Sequence, residues 1–228
     1  MKLTFTLHHA DKQTNEISLT INHSLVAGWA GRSQAANEAH IEELAALGVP
    51  RPSSIPLFYE IGRNQFLQDE HIQVVGGDSS GEAEVLLMRH QGEYLISLAS
   101  DHTDRKLEAH SVALSKQVCP KPVARDAWRF ADVQPHWDDL ILQSWIIEDG
   151  QRTLYQEDSL SSLLPPLELV QKKYDGAELP ETTIMTCGTV PAIGGIRPAK
   201  RFIMQLHDPV LERSIKHEYQ MQVLPEIA

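Results

Sequence analysis

Two apolar runs, Gly81-Glu82-Ala83-Glu84-Val85-Leu86-Leu87 and Glu93-Tyr94-Leu95-Ile96-Ser97-Leu98-Ala99-Ser100-Asp101, flank the dipeptide Gln91-Gly92. This stretch restricts the fold more than any other. Two strand-length apolar runs separated by a turn dipeptide read as a β-hairpin, and a two-residue turn fixes its register. Counting outward from Gln91-Gly92 sets Glu84 opposite Ala99 and Glu82 opposite Asp101. Side chains two apart leave a strand on the same face, so Glu82 and Glu84 project together and Asp101 joins them.

The rest of the chain extends the strand reading. Leu3, Phe5 and Leu7 alternate with Thr4 and Thr6, and Ile17 to Ile21 repeats that period, giving a second hairpin. Further strands are expected at Ile141 to Ile147, Thr183 to Cys187, Phe202 to Leu206 and Ile215 to Leu224. Between Ser33 and Leu47 an Ala-rich stretch with Ile41, Leu44 and Ala45 on one side predicts a helix, with Gly48 as its C-cap. A second helix is expected over Leu167 to Tyr174, started by Pro165-Pro166 and ended by Asp175-Gly176. The Pro-rich connections at Val49 to Pro56 and Cys119 to Pro122 are too short to separate domains. The expectation is one strand-dominated α+β domain over residues 1–228, with 1–50 as an attached N-terminal cap or lid.

Composition removes several classes of function. Lys and Arg number 20 against 31 Asp and Glu, a net charge of −11, which argues against nucleic acid and anionic membrane as partners. Cys119 and Cys187 are too few and too far apart for a disulfide scaffold or a cysteine zinc site. The amino terminus has no apolar core of signal-peptide length and no later run approaches a membrane span, so a cytoplasmic protein is expected.

The acids of the hairpin carry the chemistry. Glu82, Glu84 and Asp101 on one patch would repel one another unless a proton or a cation sits between them. Three oxygen donors with no nearby thiol favour a hard divalent ion, Mg²⁺ best, with Mn²⁺ and Ca²⁺ also admissible. Acids at alternate positions also fit the solvated face of an edge strand, so the pattern alone leaves both readings open.

Around Asp101 the sequence resembles the fumarylacetoacetate hydrolase superfamily, whose members cleave or rearrange carbon–carbon bonds in 2-oxo and β-diketo acids. The family's E-x-E strand and its later Asp-to-Arg segment are similar to Glu82, Glu84 and Asp101 in Ser100-Asp101-His102-Thr103-Asp104-Arg105. Its H-x-x-E pair is similar to His40 and Glu43, and its Gly-Thr turn to Cys187-Gly188-Thr189-Val190-Pro191. Lys116 occupies roughly the place of a lysine on the substrate side of the family's site. The chain departs where Gly31-Arg32 lies farther from His40 than is usual, and where no lysine follows Leu57-Phe58.

The resemblance implies a mixed β-roll with short peripheral helices, assembled as a homodimer or larger. The apolar run Leu140 to Ile147, with Trp137 and Trp145, suits either an interface or the core. It further implies metal ligation by Glu82, Glu84 and Asp101, and a catalytic role for His40, Glu43 and Lys116. The substrate, a small anionic 2-oxo or acylpyruvate-type acid, would undergo carbon–carbon hydrolysis or decarboxylation. Gly188, Thr189 and Arg105 would bind it, Arg105 serving either as a clamp or as a support for the ligating carboxylates. His40 and Glu43 equally fit a surface ion pair, Gly188-Thr189 a plain strand-ending turn, and Lys116 a solvent-facing lysine. Adjacency to Asp101 on a strand end could bring His102 to the rim. A hydratase, isomerase or cyclase could use the same site, and a non-catalytic binding protein could keep the fold.

Overall fold

The computed structural model describes residues 1–46 and 51–227; within its first helix the side chains of Ala36, His40, Glu43, Leu44 and Ala46 lie outside the described residues, as does the expected cap Gly48. Thirteen strands longer than two residues are named β1 to β13 in chain order. They are β1 (Lys2–His8), β2 (Thr14–Thr20), β3 (His23–Gly28), β4 (Leu57–Ile61), β5 (His71–Val75), β6 (Ala83–His90), β7 (Glu93–Ser100), β8 (Asp126–Arg129), β9 (Ile141–Glu148), β10 (Gln151–Ser159), β11 (Thr183–Thr186), β12 (Arg201–Asp208) and β13 (Arg213–Leu224). Five α-helices accompany them: α1 (Gln34–Ala46), α2 (Arg105–Glu108), α3 (Val112–Gln117), α4 (Phe130–Val133) and α5 (Pro166–Lys173). The result is the strand-dominated α+β class with small helices.

Two mixed sheets hold the strands. The larger runs β2-β1-β8-β7-β6-β11-β3-β4, with parallel pairing of β1 to β8 and of β11 to β3. The smaller runs β10-β9-β12-β13-β5, closed on one side by the parallel pair β13 and β5. The β6–β7 hairpin lies in the middle of the larger sheet, which is why it is apolar on both faces. Val85, Leu87, Ile96 and Leu98 pack toward the smaller sheet with Leu142, Met204, Leu206 and Tyr219. Leu86, Met88, Leu95 and Ala99 face the other way and meet Leu3, Phe5, Ile17, Val26 and Ile184. Those partners come from the same eight-stranded sheet, so the sheet curls on itself to enclose a second core. Full burial of each such Leu or Ile contributes roughly 1.5–3 kcal/mol, which makes the hairpin the best-anchored part of the molecule.

Residues 1–50 do not form a separate cap in their first half: β1, β2 and β3 are members of the large sheet. Period-two alternation identifies strands but is silent about which sheet receives them, and their apolar faces are buried against β6 and β7. Along β9 the alternation divides the residues: Leu142, Ser144 and Ile146 are buried, whereas Trp145 lies on the other face beneath the Arg152 guanidinium, 3.9 Å from the ring centre. Trp137 belongs to the core.

Candidate metal centre

The hairpin register follows from its turn. Gln91 and Gly92 both adopt positive φ, 51° and 83°, the pairing that suits a tight two-residue connection. Glu84 stands opposite Ala99 and Ala83 opposite Ser100, and one further bond, from the Asp101 N–H to the Glu82 carbonyl at 2.9 Å, extends the ladder to the acids. Oxygens of Glu82, Glu84 and Asp101 all lie within 4.8 Å of one another. Asp101 is fully buried and Glu84 is 3% exposed, so this is not the solvated face of an edge strand.

Beyond Asp101 the chain folds back twice, and each return delivers a cation. Thr103–Asp104 pairs with Ser79–Ser80, and the Asp104 carboxylate caps α2 by accepting from the Leu107 N–H at 2.9 Å. This starts α2 at Arg105, whose guanidinium pairs with Glu82 at 3.0 Å and Glu108 at 3.0 Å and donates to the Ser80 hydroxyl at 2.7 Å. Ser111 then caps α3, accepting from the Leu114 N–H at 3.3 Å, and α3 carries Lys116 back to the acids. The Lys116 ammonium is in direct contact with Asp101 and 4.0 Å from Glu82. It also lies 5.7 Å from the ring centre of Tyr59, whose hydroxyl accepts from the Trp29 indole N–H at 3.4 Å. After α3, Lys121 points inward as well, 3.2 Å from the other Asp101 oxygen.

The charges set the protonation states. Burial alone would push the Asp101 carboxyl up, but the Lys116 and Lys121 ammoniums outweigh it and hold it at about 2. Burial likewise disfavours the charged form of Lys116, and Asp101, Glu82 and Glu84 more than reverse this, leaving its pKa raised. Burial lowers that of Lys121. Glu84 has no such direct cation: burial, then the charges of Asp101 and Glu82, drive its carboxyl well above the usual range. A carboxylate set stressed in this way, made only of hard oxygen donors, fits a divalent cation.

Several expectations change on contact with the structure. Lys116 is not solvent-facing but buried in the site. Of the two roles open to Arg105, its position fits the support of Glu82, with which it forms an ion pair at 3.0 Å, while Nε donates to Ser80 and Nη1 to Glu108. The turn after β11 does not present free donors to a substrate carboxylate. Its Gly188 N–H donates to Glu84 at 2.9 Å, and the Thr189 hydroxyl donates to the Ala83 carbonyl at 2.8 Å while accepting from Gln156. Gly188 has φ of +90°, and a Cβ there would lie 2.7 Å from that of Ala30, so the turn needs glycine to press this close. His102 is not at the rim but fully buried, bonded to Tyr219 and Ser79 at 3.0 and 2.9 Å. His40 and Glu43 sit in α1, three residues apart, and their side chains lie outside the described residues.

Two supporting residues escape a reading of the sequence. Lys121 sits in Cys119-Pro120-Lys121-Pro122, which reads as an exposed connection, and nothing local marks it as buried. Gln156 is 1% exposed and fully bonded, with nothing in β10 to mark it. Its Oε1 accepts from the Ala83 N–H at 3.0 Å and the Ser144 hydroxyl at 2.7 Å. Its Nε2 donates to Thr189 Oγ1 at 2.8 Å and the Val190 carbonyl at 2.6 Å.

The fold is that of solved fumarylacetoacetate hydrolase family proteins. One from Yersinia pestis, described as a member of that family, matches with a TM-score of 0.60 at 13% identity, covering 96% of this chain and 100% of its own. Cg1458 with inhibitor matches at 0.64 and 12% identity, over 99% of this chain and 90% of its own. A 2-keto-3-deoxy-D-arabinonate dehydratase complexed with magnesium and 2,5-dioxopentanoate matches at 0.56 and 13% identity, over 90% and 74%. At such identities the likeness is one of fold. In sequence, the family model described as Protein of unknown function (DUF2848) matches residues 27–219, and the chain belongs to that family. No curated protein matches it in sequence. Among the described residues no helix is long and apolar enough to cross a membrane.

Proposed function

We propose that the chain is a divalent-metal-dependent enzyme acting on a small 2-oxo or acylpyruvate-type acid, by carbon–carbon hydrolysis or decarboxylation. The observation that carries this reading is the convergence of Glu82, Glu84 and Asp101 around the Lys116 ammonium. Glu82, Glu84 and Asp101 would hold the ion, Mg²⁺ being favoured by a donor set of carboxylate oxygens. When bound, a dication supplies Lewis-acid stabilisation for the negative charge that develops on a keto oxygen as a neighbouring bond breaks.

The chain's own residues do the rest. Arg105 orients Glu82 and the Gly188 amide orients Glu84. Lys116, kept charged by the acids around it, attracts the carboxylate of an anionic substrate and does not act as a base. Tyr59, packed beside Lys116, forms a wall of the same space. His40 and Glu43, three residues apart in the sequence of α1, are assigned as the pair that takes a proton from water. A homodimeric or larger assembly and a cytoplasmic location belong to the same proposal.

Loss of water is a second reading, favoured by the likeness to 2-keto-3-deoxyarabinonate dehydratase. It draws on the same stabilised charge and differs in which bond breaks. Titration of the purified protein with Mg²⁺ and Mn²⁺ tests the common part. The Glu82→Ala, Glu84→Ala double variant should bind at least about 100-fold more weakly, since two of the three anionic oxygen donors to the ion are gone. Equal binding by both proteins would sink the proposal. A panel of 2-oxo acids, followed by loss of enol absorbance with products identified by mass spectrometry, then separates hydrolysis, decarboxylation and dehydration.

A further inference from the structure

Tyr59 is held more closely than a wall residue needs. Its ring lies against Gly28, where a side chain would press on it, since a Cβ there would come within 2.9 Å of Cε2. The Lys116 ammonium lies 5.7 Å from the ring centre. Trp29, the next residue after Gly28, holds φ at +58°, a left-handed conformation rare for so bulky a side chain. Its indole N–H reaches the Tyr59 oxygen at 3.4 Å, the long end for such a bond. Ala30 follows and packs against Gly188, whose N–H in turn holds Glu84. The segment Gly28-Trp29-Ala30 therefore runs from Tyr59 to the acids, and backbone held in so rare a region beside a site points to a use.

Hydrogen-bond bookkeeping says what that use is. An indole nitrogen only donates, so the Tyr59 oxygen accepts in this pair and its own proton remains to be given elsewhere. Among the described residues no acceptor receives it. Burial pushes the phenol pKa above its ordinary value, which keeps the group a donor at neutral pH. Neighbouring donors are committed inside the protein: the Gly188 N–H to Glu84, the Thr189 hydroxyl to the Ala83 carbonyl, and the Lys121 ammonium to the carbonyls of His102 and Lys116. A phenolic O–H close to an ammonium is best satisfied by an anionic oxygen.

We infer that the Tyr59 hydroxyl is a substrate-binding donor, which holds the carboxylate of the bound acid together with the Lys116 ammonium, and that Trp29 is the positioning residue that aims it. The inference rests on the 2-oxo acid reading above and deepens it. Carboxylate recognition falls to a phenol on β4 and a lysine on α3, in place of the glycine turn after β11.

Calorimetric titration of the Mn²⁺-loaded protein with oxalate, a stand-in for the carboxylate and enolate oxygens of a 2-oxo acid, tests this. The proteins are the wild type, Tyr59→Phe, Trp29→Phe and the double variant, with Mn²⁺ affinity and thermal midpoint measured for each. Tyr59→Phe keeps the ring and should weaken oxalate at least about tenfold while Mn²⁺ affinity stays within about twofold. Trp29→Phe should weaken oxalate about threefold by itself and no further once Tyr59 is Phe, because its effect runs through the hydroxyl. If Tyr59→Phe does not fold, Trp29→Phe is read alone by the same oxalate constant. Unchanged oxalate affinity in the folded variant overturns the inference, and so does a loss matched by an equal loss of Mn²⁺ affinity, which marks a structural role. Additive effects of the two substitutions overturn the assignment of Trp29. A wild type that binds Mn²⁺ but not oxalate overturns the 2-oxo acid reading, and one that binds no Mn²⁺ overturns the metal-dependent reading, the inference falling with either.

Discussion

Replacing Gln156 by Leu tests whether the site is held by the smaller sheet. The side chains are similar in volume, so the change leaves little cavity and acts through hydrogen bonds. Gln156 makes four: from the Ala83 N–H at 3.0 Å and the Ser144 hydroxyl at 2.7 Å, and to Thr189 Oγ1 at 2.8 Å and the Val190 carbonyl at 2.6 Å. Thr189 keeps its bond to the Ala83 carbonyl, and the Ser144 hydroxyl can rotate. The Ala83 N–H and the Val190 carbonyl are left bare in the core, where Ala83 is 0% and Val190 1% exposed. An orphaned buried polar group costs about 1–3 kcal/mol, so the variant should lose roughly 2–6 kcal/mol. At about 2–4 °C per kcal/mol for a chain of this size, the thermal midpoint should fall by on the order of 10 °C. Urea denaturation of wild type, Gln156→Leu and Gln73→Leu measures it; Gln73, bonded to Gln222 on the exposed edge, should change stability by less than about 0.5 kcal/mol. Because Ala83 lies between Glu82 and Glu84, the folded fraction should also bind Mn²⁺ more weakly. A loss no greater than that of Gln73→Leu, with Mn²⁺ affinity intact, would refute the reasoning.

Two further outcomes follow from the same geometry. Gly188→Ala must accept a φ of +90° and a Cβ 2.7 Å from Ala30, and should lose roughly 2–4 kcal/mol in denaturant while weakening Mn²⁺ binding through Glu84; wild-type stability would exclude the clash. His102 is held neutral, its pKa pushed down to about 3, by burial first and then by the charges of Lys121 and Arg105. The unfolded chain binds a proton below about 6.5 that the folded chain refuses, so this contribution is complete above that pH and is lost as pH falls toward 3. Metal-free stability should drop by on the order of 2–3 kcal/mol between pH 6.5 and 4.5, and a chemical-denaturation series in which His102→Leu keeps the same acid slope would count against it.

The hairpin was legible because its determinants are local. Gln91 and Gly92 can take positive φ, and once the turn is two residues long the meeting of Glu82, Glu84 and Asp101 follows from counting. What lies around the acids was not legible in the same way. Lys121 is buried because two carbonyls and a carboxylate from other segments surround it, and no feature of Pro120-Lys121-Pro122 records them. Gly188-Thr189 does form a turn, but the turn folds onto the start of β6, so the donors expected for a substrate are engaged by Glu84 and Ala83. Strands β1 and β2 read as strands and not as members of the central sheet, since alternation within a strand is the same whichever neighbour it pairs with.

The position of the acids on the β6–β7 hairpin also governs how the site is lost. Segments with few apolar contacts open and close many times for each global unfolding event, and amide hydrogen exchange reports that hierarchy. Glu84 lies in a strand whose neighbours on both faces are core, and Asp101 follows directly on its partner strand. The ligating geometry therefore belongs to a unit whose amides are expected to exchange slowly, through global unfolding. Local openings elsewhere in the chain leave the mutual spacing of the acids intact for as long as the native state lasts.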